Sequence, residues 1–135
     1  MRKQKKIMLA ILFLLSVMIL SIVIPMFTTP MRRPSNMVKS YILRITPLGA
    51  SIEDVIQVIE SRNDWDVRYI NLNEGFQLGP PNITVIGEMS IRVHLGTYRA
   101  WHKWFPLMEW AVDVFWGFDE DGRLIEVHIR KIGMS

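Results

Sequence analysis

Apolar residues fill the chain from position 7 to position 24, IMLAILFLLSVMILSIVI, with only Ser16 and Ser21 interrupting them. A segment apolar on every side has no face to turn toward water, so the pattern predicts a helix in a bilayer. At 1.5 Å per residue such a helix spans about 27 Å, close to the hydrocarbon thickness of a membrane. Each serine hydroxyl can bond a carbonyl one turn earlier, which keeps both residues compatible with lipid. Pro25 is expected to stop the regular helix, with Met26 and Phe27 extending the apolar length.

The next periodic segments are shorter. Tyr41-Ile42-Leu43-Arg44-Ile45 reads as a short β-type run halted by Pro47 and Gly49. Ser51 then offers an N-cap, with Asp54 three residues on and Glu53 beside it, all favourable at a positive helix end. Ile52, Val55, Ile56 and Ile59 follow at i, i+3, i+4, i+7, one buried face of a helix that gives way near Asn63-Asp64. So short an amphipathic helix needs a sheet to cover.

The sheet is written in period two. Residues 65–69 alternate, and so do residues 90–95, with a loop expected from Asn71 to Asn82 around Pro80-Pro81. Trp110, Val112, Val114, Trp116 and Phe118 share one strand face, and Asp113 lies on the other. Asp119-Glu120-Asp121-Gly122 makes a turn, after which Ile125, Val127 and Ile129 alternate with Glu126, His128 and Arg130. The two strands form an antiparallel hairpin, and Phe115 on its polar side suggests that both faces are partly covered. The expected fold is α+β: an N-terminal transmembrane helix (1–27), a juxtamembrane linker (28–39) and one small domain (40–135). That domain is expected to pack one amphipathic helix on an antiparallel sheet of four to five strands.

Charge sharpens the division. The chain of 135 residues carries a formal net charge of +3, yet Arg2, Lys3, Lys5 and Lys6 all precede the apolar run. Residues 31–135 hold 12 cations against 13 acids, and residues 46–135 hold 8 against 13. The basic character belongs to the N-terminus, so charge argues against nucleic acid as a partner of the domain. Cations ahead of the span predict a cytoplasmic N-terminus, an extracytoplasmic domain and a location in the cell membrane. A cleaved signal peptide is the competing reading; it usually has a shorter apolar core followed by small residues, which Pro25-Met26-Phe27-Thr28-Thr29-Pro30 does not supply. Arg32, Arg33 and Lys39 in the linker suit a solvated spacer better than a lipid-binding cluster. The chain has no cysteine, which excludes disulfides, thiol nucleophiles, Cys-zinc sites and a lipid-modified N-terminal cysteine.

Gly49-x-Ser51-x-x-Asp54-Val55 and Phe118-Asp119-x-Asp121-Gly122-x-Leu124 carry a resemblance. Over residues 46–132 the chain resembles the SmpA/OmlA and β-lactamase-inhibitor-protein group, in which a helical unit packs on a small antiparallel sheet. It also resembles small single-span bacterial proteins that share the TPLG…EDV and VFWGFDEDG phrasing. The chain departs from the first group in lacking its frequent anchoring cysteine and in showing one helix where two are usual. The resemblance implies an envelope-side scaffold or protein-binding domain and speaks more to fold than to activity.

Catalytic chemistry is sparse. Asp119-x-Asp121-Gly122 lacks the remaining ligands of a calcium loop, since His128 stands where that pattern needs Glu. His94, His102 and His128 have no metal-ligand spacing, although His94 and His128 could share a polar sheet face. Glu109 and Asp113 read as solvated charges rather than a catalytic pair. No serine sits in a nucleophile elbow and no phosphate-cradling glycine loop is present. Accordingly no catalytic residue, metal or cofactor is expected.

One segment stands out, where Arg99, Trp101, His102, Lys103, Trp104 and Phe105 interleave aromatics with cations between the third strand and the final hairpin. These rings either close one end of the core or form a contact surface for a membrane, a glycan or an envelope protein. The expected function is a membrane-anchored extracytoplasmic binding or scaffolding module without catalysis. A small cell-envelope hydrolase and a secreted protein are the alternatives. A concave pocket with convergent carboxylates or histidines would favour the enzyme, and an apolar patch or open sheet edge the binding module.

Overall fold

The computed structural model describes the backbone of residues 2–28, 33–80, 83–102 and 105–134, with side chains except at 22–28, 100–102, 105–107 and 134. The chain divides into two compact units, Met1–Arg33 and Pro34–Ser135.

The first unit is helix α1, Arg2–Thr28, and its side chains from Arg2 to Ser21 are exposed. This helix is long and apolar enough to cross a membrane. The Ser16 hydroxyl donates to the Leu12 carbonyl at 2.9 Å and Ser21 to Met18 at 2.7 Å, so neither leaves a polar group free. The helix runs through Pro25 instead of stopping there. A proline removes one amide from the ladder, but the residues after it keep their own donors.

The second unit contains α2 (Ser35–Ile45), α3 (Ile52–Glu60), and strands β1 (Asp66–Asn71), β2 (Phe76–Gln77), β3 (Val85–Ile86), β4 (Met89–His102), β5 (Phe105–Phe118) and β6 (Leu124–Met134). Four strands form an antiparallel sheet in the order β1-β4-β5-β6, and β2 pairs with β3 in a separate ribbon. The α+β reading holds, with two helices on the sheet where one was expected.

Helix α2 replaces the short strand expected at residues 41–45, and it takes in Ser35 to Lys39 of the expected linker. Burial against the sheet selects the helical spacing. Val38 and Ile42, four residues apart, are buried on one side together with Thr46, while Ser40 and Arg44 face water. Five residues read alone show β-type composition; only the longer window shows the helical spacing. Thr46 fastens the end of α2 to the sheet, because its hydroxyl donates to the Ile42 carbonyl at 2.7 Å and accepts the Trp116 indole N–H at 3.0 Å.

Helix α3 starts as its sequence predicts. Ser51 accepts from the Asp54 amide at 3.2 Å, and Ile52, Val55 and Ile59 are buried. The segment before it pairs with the start of β6 through Gly49 to Leu124, Leu124 to Ala50 and Ile52 to Gly122 backbone bonds. These bonds place the start of α3 beside the final hairpin.

Strands β4 and β5 are far longer than their alternation suggested. The pairing continues from Met89↔Phe118 to His102↔Phe105, so the backbone at Arg99–His102 is strand and not loop. A bulge between His94 and Gly96 shifts the register there. An extra residue breaks the period-two pattern, which hid the second half of β4. Pro106 is accommodated because β6 pairs with β5 only from Glu109 onward, leaving that end of β5 bonded to β4 alone.

The sheet is covered on both faces. Ile91 and Val93 of β4, Val112, Val114 and Trp116 of β5, and Val127 of β6 are buried on the helix side, where Trp65 adds a ring 6.3 Å from Trp116. On the other side Phe76 of the β2–β3 ribbon is buried against Phe115, their ring centroids 5.5 Å apart. Gly117 permits this contact, because a Cβ there would lie 2.8 Å from the Phe76 ring.

Candidate functional site

Because residues two apart on a strand share a face, Arg92 and His94 on β4, Asp113 and Phe115 on β5, and His128 and Arg130 on β6 project from the side opposite the helices. The registers Arg92↔Phe115, His94↔Asp113, Phe115↔His128 and Asp113↔Arg130 align them across three strands. The β2–β3 ribbon covers part of this face, and beside it opens a cleft of about 360 Å³. Tyr69, Asn71, Gln77, Ser90, Arg92 and Arg130 are among its lining residues.

Asp113 is the anchor of the polar network. Only 3% of it is exposed, so the expected solvated carboxylate is in fact buried. Its Oδ2 accepts from Arg92 Nε at 3.0 Å and Nη2 at 2.6 Å, and its Oδ1 lies 2.8 Å from His94 Nδ1. Burial alone would raise this carboxyl, but the His94 and Arg92 hydrogen bonds and charges outweigh it and hold the group below the usual range. Glu109 is separate, paired in register with Arg99 on the hairpin.

The aromatic part of the face carries the second cation. Arg130 donates from Nη2 to the Gln77 carbonyl at 3.0 Å, which ties β6 to the ribbon. Its guanidinium carbon lies 4.6 Å from the Phe115 ring centroid, and that of Arg92 lies 5.2 Å from the same centroid. His128 stacks on Phe76 with centroids 6.2 Å apart. Burial first, then the positive charges of Arg130 and Lys39, push the His128 imidazole below its ordinary value. His94 and His128 do share a sheet face, but β5 separates them.

Of the six residues expected to form a contact surface, Arg99 is exposed on β4. Trp101, His102 and Phe105 lie on the paired end of the β4–β5 hairpin, with side chains outside the described residues. Lys103 and Trp104 lie outside the described residues altogether. Sequence reasoning missed the convergence of Arg92, His94, Asp113 and Arg130. Its signal was the alternation within each strand, but the alignment between strands depends on the bulge and could not be read.

The whole is an α+β domain joined in sequence to one helix of membrane-spanning length. No family model, curated protein or solved structure matches the chain.

Proposed function

We propose that this protein is a single-span membrane protein that displays a noncatalytic binding or scaffolding module on the outer side of a bacterial cytoplasmic membrane. Residues 7–24 are the lipid contact, the N-terminal cations stay in the cytoplasm, and the partner is an envelope protein. The binding reading is carried by one observation: β1 is an edge strand whose Val67, Ile70 and neighbouring Leu72 are exposed. Such an edge presents unpaired backbone donors and acceptors beside apolar side chains, which suits an added strand from a partner. The exposed Asp66–Arg68 ion pair at 3.4 Å and the bulge between Val67 and Tyr69 limit indiscriminate pairing. The aromatic-basic segment from Arg99 to Phe105 is a second proposed contact, for a glycan or protein.

Photocrosslinking in intact membranes tests the edge. A crosslinking residue at Ile70 should capture a discrete partner, and the same residue at Glu53 on the outer side of α3 should not. Equal labelling from both positions, or none from Ile70, defeats the proposal.

A small envelope hydrolase is the second reading, and the contact between Asp113 and His94 favours it. A carboxylate that orients an imidazole is a general-base arrangement. Cleavage of cell-wall fragments by the full chain, lost in His94→Gln while the fold is kept, would establish that reading.

A further inference from the structure

Arg92 and Arg130 stand on strands either side of β5 and share one platform, the buried ring of Phe115. Each is fixed by its own acceptor. Arg92 is held by Asp113 through Nε and Nη2, and Arg130 by the Gln77 carbonyl. A guanidinium has five N–H groups, so these bonds leave donors on both residues for a ligand. Asp113 already balances Arg92, whereas Arg130 has no carboxylate partner among the described residues. Both arginines line the cleft of about 360 Å³, whose rim also carries Tyr69, Asn71 and the exposed Glu74.

A half-buried cation over an aromatic ring has lost part of its hydration and gains from an anion that replaces it. On the same face the His128 imidazole is depressed by burial first and, after it, by the positive charges of Arg130 and Lys39. The geometry also discriminates between anions. One guanidinium fork satisfies a planar carboxylate, while the donors left on two guanidiniums from separate strands suit the several oxygens of a tetrahedral group. We propose that this cleft binds the phosphate group of a small phosphate ester, with Arg130 as the principal contact and Arg92, positioned by Asp113, as the second. The site stands on the cleft alone and does not depend on what pairs with β1.

The test uses the full chain in neutral detergent micelles, with the arginine Nε–Hε resonances followed during titration with glycerol 3-phosphate. Saturable shifts at Arg92 and Arg130, with a dissociation constant of about 1 mM or tighter, are expected. Arg130→Gln should weaken binding about tenfold or more, Arg130→Lys less, and Arg62→Gln, on the helix side, not at all. Near-ultraviolet circular dichroism reports whether each variant keeps the fold. Acetate should bind at least about tenfold more weakly. Shifts seen in phosphatidylglycerol nanodiscs and absent with the free ester would keep the phosphate chemistry and assign it to a lipid headgroup. Acetate binding as tight as the ester, or no response to the ester or to phosphatidylglycerol, would overturn the proposal. Crosslinking from Ile70 that persists after such a failure would leave the strand-edge reading intact.

Discussion

Gly122 adopts a φ of +75° inside the final hairpin turn, where residues with a Cβ are strained. A Cβ built there meets Ile52 Cγ2 at 3.6 Å, an ordinary contact, so the cost of substitution is conformational rather than steric. Asp119 completes the turn by accepting the amides of Asp121 and Arg123 on one carboxylate oxygen. Gly122→Val should therefore destabilise the domain by about 1 kcal/mol or more, read as a lowered thermal midpoint. An unchanged midpoint would mean that the turn relaxes into another form. The DG signal in the sequence was enough to anticipate this residue, because turn chemistry is local.

Titration also acts through single residues. His128 is disfavoured as a cation in the folded state, so the unfolded chain binds its proton more readily. Stability from this source is present above the ordinary histidine value of 6.5 and is lost as pH falls below it. Asp113 and Glu126 are lowered too, so their stabilisation is present above about 3.8 and 4.5 and fades below those values. Thermal midpoints should fall in two stages on acidification, and His128→Gln should remove the first. A midpoint that stays level between neutral pH and the carboxylate range would contradict this account.

Among elements, α2 changes the most between expectation and structure. Its buried stripe is only Val38 and Ile42, supplemented by Thr46 and by the half-exposed Lys39–Glu126 ion pair at 2.9 Å. A surface ion pair contributes little, so the Thr46–Trp116 bond is the specific tie. Thr46→Val keeps the shape but removes the acceptor, leaving a buried indole N–H unsatisfied. The expected loss is about 1–3 kcal/mol, with Thr46→Ser close to the parent. Equal stability of the Val and Ser variants in denaturant would show that the bond is dispensable. This tie was illegible in the sequence, because Thr46 and Trp116 lie 70 residues apart. The α3 cap was legible because donor and acceptor are three residues apart.

At the scale of the whole molecule, the apolar helix makes the most direct prediction. An uncleaved span should hold the full chain in membrane pellets through an alkaline wash, with the domain open to protease added outside. Recovery of a mature chain that starts near Thr29 or Met31 would favour secretion instead. Because α2 belongs to the domain unit that begins at Pro34, that mature chain would still contain every element of the domain.

Some properties of the molecule follow from order along the chain. The apolar run, the capped helix α3 and the β5–β6 hairpin each depend on contacts within a few residues, so composition and spacing determine them. The helical state of α2, the length of the β4–β5 hairpin and the cleft were decided by tertiary structure. In α2 the deciding factor was a sheet that buries Val38 and Ile42; in β4 it was a bulge that changes which residues face each other. The cleft required both Arg92 and Arg130 to meet over Phe115. Each strand carries its own alternation, but only the register across β4, β5 and β6 brings two cations to one ring.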